Sequence, residues 1–455
     1  MRLDDQIFNG KTEAEARQAL LALVSSYCDR YHNQGKDEPY KAGERIPYAS
    51  RVYDHDELVN LVDSACDFWL TMGRYTRQFE QAFAAYEGVR FANVVNSGSS
   101  ANLLAFMALT SPLLGERAIR RGDEVITVAA GFPTTVTPAL NYGAVPVFVD
   151  VTLPQYNIDV TQLEAALSPR TKAVMIAHTL GNPFDLAAVS AFCKAHNLWL
   201  VEDNCDALGS RVQLDGSWRL TGAVGDLGTS SFYPPHHMTM GEGGAVYTDN
   251  PLLQKILRSM RDWGRDCICE SGQDNRCGHR FDGKYGELPQ GYDHKYVYSH
   301  FGYNLGITDM QAAVGCAQLK KFPEFVRRRR ENWQQLREEL AEVSDRILLP
   351  EALPESEPSW FGFCMTVAEG IDRTRLIRRV EEQGVQTRLL FAGNLLRQPC
   401  FDQVRGDASV YRAIGALPQT DRIMRDTFWV GVYPGLTKDR LSYMAETIKR
   451  AVLEQ

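Results

Sequence analysis

Four cysteines in this sequence stand at a spacing that can close a thiolate cage. Cys205, Cys267, Cys269 and Cys277 read C-x61-C-x1-C-x7-C. Four thiolates complete a [2Fe–2S] cluster or a zinc site; the alternative is four ordinary reduced thiols. The close C-x-C differs from the usual C-x2-C zinc knuckle. Cys28, Cys66, Cys193, Cys316, Cys364 and Cys400 are scattered and read as small buried hydrophobes. A second chemistry lies at His236, in the run Ser231-Phe-Tyr-Pro-Pro-His-His-Met-Thr-Met-Gly-Glu-Gly-Gly244. An imidazole moves protons near neutral pH but cannot form an imine. No lysine occurs between Lys194 and Lys255.

A third signal is Asn96-Ser-Gly-Ser-Ser-Ala101, set between a strand and a helix. Backbone N–H groups and the helix dipole at such a corner suit a phosphate. Gly98 permits close backbone approach, and Ser99 and Ser100 add hydroxyl donors. The alternative is a serine that simply caps the helix. Asp203 ends an apolar run; it reads as a cofactor partner or as a helix cap.

These groups need a scaffold. A chain of 455 residues is too long for one compact core. The pattern gives an arm over residues 1–57, a large domain over 58–335 that carries the cysteines, and a small domain over 336–455. Phe91–Ser97, Glu124–Ala129, Val145–Val151, Ala173–His178 and Leu198–Asp203 are short apolar runs that suit strands buried on both faces. Helical stretches such as Gly98–Leu109 and Leu186–His196 alternate with them, which implies a mainly parallel sheet with right-handed crossovers. A long helix spans Thr308–Val343, and Pro323 should interrupt it. The run Arg327-Arg-Arg-Arg-Glu331 reads as a solvated face of that helix. A net charge of -8 argues against general nucleic-acid binding. No apolar run approaches the roughly 20 residues that span a membrane, and the N-terminus lacks a signal-like apolar core. The expectation is a cytoplasmic protein.

The Ser231–Gly244 run resembles the active-site strand and loop of the DegT/DnrJ/EryC1 sugar aminotransferase family, which uses pyridoxal phosphate. There a lysine occupies the place of His236 and bonds the cofactor. Together with the cysteines, this resembles the family's subgroup of 3-dehydrases of nucleotide-linked 4-keto-6-deoxyhexoses. The resemblance runs from about Leu58 to the C-terminus and includes Gly131–Val136, Tyr292–Tyr296 and Arg388–Asn394. It implies an α/β fold of the type I pyridoxal-phosphate transferases and a homodimer with active sites at the interface. Pyridoxamine 5′-phosphate would be held noncovalently, with Gly98, Ser99, Ser100 and Ser231 on its phosphate, Asp203 on its ring nitrogen and Phe132 stacked on the ring. Asn304 matches a residue that reaches the phosphate from the second subunit, although Gly306 stands where the family usually has arginine. Arg388, Asn394 and Arg397 are the implied substrate contacts. His236 would be the base, and Cys205, Cys267, Cys269 and Cys277 would hold a [2Fe–2S] cluster. The implied substrate is a CDP-linked 4-keto-6-deoxyglucose, with a dTDP-linked sugar as the alternative. An NAD(P)H-dependent iron–sulfur flavoprotein reductase would supply electrons, because the chain has no dinucleotide fingerprint. A sugar aminotransferase would need the missing lysine. A redox regulator would not need the phosphate corner, Asp203 and Ser231 together.

Overall fold

The computed structural model describes residues 8–32, 39–269, 272–276 and 278–455. Cys277 lies outside them. The apolar runs become strands because their β-branched side chains can be buried on both faces. These strands are β1 (Phe91–Val95), β2 (Glu124–Val128), β3 (Val145–Val149), β4 (Thr171–Ala177) and β5 (Trp199–Asp203). They are joined by β6 (Leu227–Ser231) and β7 (Gly244–Thr248). The eight-stranded sheet runs β1-β7-β6-β5-β4-β2-β3 and ends on the short pair Arg412–Ala413. Only β7 is antiparallel to its neighbours.

Alternation along the strands builds a core on each side. Ala173 and Met175 pack with the helices Gly98–Ala108 and Pro251–Arg261, whereas Val174 and Ile176 pack with Leu186–Ala195. Because β1, β5 and β6 point the same way, their carboxyl ends meet at one edge. In open α/β sheets that edge is where ligands bind.

A second, four-stranded antiparallel sheet runs Ile347–Leu348, Gly362–Val367, Thr427–Gly431, Thr387–Arg388. The helices Arg373–Glu382 and Lys438–Leu453 cover it through Leu376, Val380, Leu441 and Met444. The N-terminal segment also joins this sheet: Ile46 bridges Val385, its N–H bonding Gly384 O at 2.8 Å.

The helix Asp309–Leu340 ties the two sheets together. Asp309 in its first turn accepts backbone N–H bonds from Gly73 at 2.9 Å and Thr76 at 2.8 Å, which caps the helix Arg74–Glu87. Contrary to expectation, the long helix continues through Pro323. A proline costs an interior helix roughly 3 kcal/mol, but buried Phe322, Phe325 and Val326 anchor this stretch on both sides. The arginine run is also not a uniform solvated face. Arg327 pairs with Glu324 and Glu331 on the surface, whereas Arg329 is 2% exposed. Cys66 and Cys400 are exposed, which corrects their reading as core residues; Cys28, Cys193, Cys316 and Cys364 are buried.

Candidate functional site

The carboxyl ends of β1, β5 and β6 open into a cavity of about 640 Å³. Its floor is a corner at the end of β1. Ser97 caps the helix Gly98–Ala108, its Oγ accepting the Ser100 N–H at 3.0 Å. A Cβ added at Gly98 would lie 2.4 Å from Ser231 Cβ, and one at Gly244 would lie 2.3 Å from Ser97 O. Two missing side chains therefore let the helix start, Ser231 and β7 converge. Ser97, Gly98, Ser99 and Ser231 line the cavity, while Ser100 Oγ accepts a hydrogen bond from the Ser97 hydroxyl at 3.0 Å.

Asp203 ends β5 at the cavity wall. Its Oδ2 accepts hydrogen bonds from Asn102 Nδ2 at 2.8 Å and Thr135 Oγ1 at 2.6 Å, and Oδ1 accepts the Cys205 N–H at 3.2 Å. Three donors thus fix a carboxylate that is 4% exposed. Asn102 lies one turn after Gly98 on the same helix, a spacing that sequence reasoning passed over.

His236 enters from the loop after β6. Its Nδ1 is 3.5 Å from Asp206 Oδ1, and its ring centroid is 5.3 Å from that of Phe361. Burial pulls the imidazole down to about 4; the charge of Asp203 opposes this and that of Arg329 adds to it. Burial, with Asp203 beside it, pushes the Asp206 carboxyl up to about 8. Burial likewise drives the Cys205 thiol well above its usual value. At neutral pH His236 is a free base in a low-dielectric wall. Among the described residues, no lysine lines the cavity.

The remaining walls are largely aromatic. Phe132 and Phe391 meet edge to face at 5.8 Å, and the Arg388 guanidinium lies 4.2 Å from the centre of the Tyr48 ring. Phe361 and Trp429 close the side formed by the smaller sheet. Tyr48 comes from the N-terminal arm, for which the sequence suggested no such part. Of the three expected substrate contacts, Arg388 lines this cavity and Asn394 and Arg397 do not. Asn394 Nδ2 bonds Asp421 Oδ1 at 2.7 Å and Arg397 Nη2 lies 2.9 Å from Asp421 Oδ2, so both are engaged at the helix Pro418–Asp426.

Asn304, Gly306, Cys267 and Cys269 line a different cavity of about 590 Å³, beside Trp69 and Trp263. The Cys269 N–H bonds Cys267 Sγ at 3.4 Å, and the Arg276 N–H bonds Cys269 Sγ at 3.4 Å. Cys205 lies in the first cavity. Among the described residues, the only group of three possible metal ligands close enough to share an ion is Asp54, His55 and Asp56. The described thiols thus stand in two separate cavities, and Cys277, the fourth of the expected set, lies outside the described residues. The two cavities belong to different elements, the end of β5 and the loop after Pro251–Arg261.

The phosphate corner, Asp203 and the enclosing aromatics fit a phosphorylated pyridine cofactor. A model of the DegT/DnrJ/EryC1/StrS aminotransferase family matches residues 52–449. The chain belongs to this family. It is thus an enzyme of a pyridoxal-phosphate-dependent, sugar-modifying family. It is 51% identical to the lipopolysaccharide biosynthesis protein RfbH of Salmonella typhimurium, over 95% of this chain and 97% of that one. It is 49% identical to a dTDP-4-dehydro-2,6-dideoxy-D-glucose 3-dehydratase of Saccharopolyspora spinosa, over 96% of this chain and 92% of that one. Among solved structures it resembles the E. coli GDP-4-keto-6-deoxy-D-mannose-3-dehydratase with bound hydrated PLP. The TM-score is 0.78 at 26% identity, covering 89% of this chain and 99% of the other. The fold is that of the type I pyridoxal-phosphate transferases. Among the described residues, no helix is long and apolar enough to cross a membrane.

Proposed function

We propose that this protein is a 3-dehydratase of a nucleotide-linked 4-keto-6-deoxyhexose, working on noncovalently held pyridoxamine 5′-phosphate. The observation that carries this reading is an imidazole in a cofactor-sized cavity that, among the described residues, no lysine lines. Two relatives named as 3-dehydratases support dehydration over transamination. The cofactor, when bound, supplies an amine for the C4 ketone and a ring that accepts electrons. The Ser97–Ser99 corner and Ser231 hold its phosphate. Asp203, fixed by Asn102 and Thr135, faces its ring nitrogen, and Phe132 covers the ring. His236, neutral at working pH, would be placed to take a proton from the carbon that carries the amine (C4′) and to return it to the departing C3 hydroxyl, which would leave as water. Arg388 is the candidate for the substrate's phosphates.

The nucleotide is proposed to be CDP, with dTDP as the second reading because of the Saccharopolyspora relative. A homodimer would bring Asn304 to the partner's cofactor. Net deoxygenation would further need a [2Fe–2S] cluster on Cys205, Cys267, Cys269 and Cys277 and an external iron–sulfur flavoprotein reductase. That part rests on the cysteine spacing alone and requires Cys205 and the Cys267 loop to come together.

Oxygen exchange tests the dehydration. With pyridoxamine phosphate and no reductase, CDP-4-keto-6-deoxyglucose in labelled water should gain label at C3. The dTDP sugar run in parallel decides the nucleotide. His236→Asn should lower exchange by about 10²–10⁴-fold. Exchange that survives this change intact would remove His236 from the mechanism.

A further inference from the structure

Arg329 is buried inside the helix Asp309–Leu340, and among the described residues no carboxylate lies within ion-pair distance of it. Its hydrogen bonds go to backbone. Nη2 donates to His236 O at 3.2 Å and Nη1 donates to Trp360 O at 3.2 Å. One turn along the helix, Trp333 stacks on Trp360 with ring centroids 4.2 Å apart and planes 1° from parallel. A third link runs between the two segments themselves, from His237 Nε2 to Ser359 O at 2.7 Å.

The segments joined in this way each send a ring into the cavity, His236 from one and Phe361 from the other. Packing alone would not call for arginine here. Burying a guanidinium is costly, and an apolar side chain of similar volume usually serves stability as well or better. What arginine adds is a rigid fork that can bond two carbonyls at once. We propose that Arg329 is a positioning residue that locks the His236 turn to the Phe361 segment and so sets where the imidazole stands over the cofactor. This rests on the reading of His236 as the base. Misplacing a reacting group by about 1 Å can cost on the order of 10²-fold in rate, so the clamp belongs to the chemistry as well as to the fold.

Arg329→Met keeps volume and removes both donors. It should fold, bind pyridoxamine phosphate within about twofold of the parent, and lose roughly 10- to 100-fold in kcat for C3-oxygen exchange at nearly unchanged KM. Arg329→Lys, which can reach one carbonyl, should recover part of that loss. A crystal structure of Arg329→Met with the cofactor should show the His236 ring displaced from Phe361 or split over two positions. An undisturbed His236 with unchanged kcat overturns the proposal, as does a loss of kcat that only follows loss of cofactor or of fold. If Arg329→Met does not fold, Arg329→Lys carries the same measurements. Should the parent itself show no exchange, the proposed reaction fails, and the crystallographic comparison still decides whether Arg329 sets the ring.

Discussion

Glu202 and Asp203 are consecutive in β5, and their carboxylates serve opposite faces of the sheet. Glu202 accepts hydrogen bonds from His178 Nε2 at 2.9 Å and from the backbone N–H groups of Gly222, Val224 and Gly225 at 2.7, 2.9 and 2.6 Å. The Phe184 N–H bonds His178 Nδ1 at 3.3 Å, so the proton offered to Glu202 is on Nε2. Asp203 faces the cavity. One acid thus holds a loop in place and its neighbour faces the cavity. Glu202→Gln would point an amide at N–H donors and should cost about 3 kcal/mol of stability. Asp203→Asn should leave the fold largely intact and weaken pyridoxamine phosphate binding by roughly tenfold or more, which is about 1.4 kcal/mol. Denaturant melts and cofactor titration of the two variants separate the roles; equal loss of stability in both would refute the division.

The close contact of Gly98 with Ser231 gives a suppressor test. Gly98→Ala places a methyl 2.4 Å from Ser231 Cβ, an overpacking expected to cost about 1–3 kcal/mol and to spread the phosphate corner. Cofactor affinity should fall, and Ser231→Gly added to the same chain should restore part of the melting temperature, because it removes the Cβ and Oγ in conflict while the Cα, 3.1 Å from the new methyl, stays. The double variant should still bind cofactor less well than the parent, having lost the Ser231 hydroxyl. Failure of Ser231→Gly to rescue stability would show that the corner relaxes elsewhere.

The sheet was legible because β2, β3, β4 and β5 are unbroken apolar runs with no competing helical period. The strand-to-helix corner at Ser97–Ser99 was legible because serine and glycine there do what caps and close approaches demand. The arginine run misled for a geometric reason. Successive helical residues point about 100° apart, so a charged run on a packed helix sends one member inward, and Arg329 is that member. Pro323 held its helix because tertiary packing outweighed propensity. Tyr48, Phe361 and Trp429 come from segments far apart in sequence, and no local pattern marks them as walls of one cavity. Asn394 and Arg397 find Asp421 across a loop that sequence spacing does not reveal.

The cysteines make a compositional prediction that activity need not report. Protein purified without oxygen should carry about two irons and two sulfides per chain if four thiolates close a cluster, and Cys205→Ser should remove the iron while cofactor binding persists. Stoichiometric zinc in place of iron would end the electron-transfer reading. Iron that survives Cys205→Ser would leave this thiol to the cofactor cavity alone.

Glu87 gives a pH dependence whose sign is fixed by burial. It ends the helix Arg74–Glu87, is 3% exposed, and among the described residues neither carboxyl oxygen has a hydrogen-bond partner. Burial, with the charge of Glu202 adding to it, holds the carboxyl well above its ordinary 4.5. The folded chain therefore keeps a proton here that the unfolded chain has released. This group's contribution to stability is fully present below about pH 4.5 and is lost as pH rises toward the folded value, by about 1.4 kcal/mol per pH unit. Glu87→Gln removes that dependence. The stability of the variant minus that of the parent should rise with pH from about 5 upward, at no more than this slope, until the folded carboxyl ionises, since every other titrating group cancels in the difference. Urea melts of both proteins across that range supply the measurement; parallel curves would mean that Glu87 ionises in the folded state at an ordinary pH, and that its site is wetter than its burial indicates.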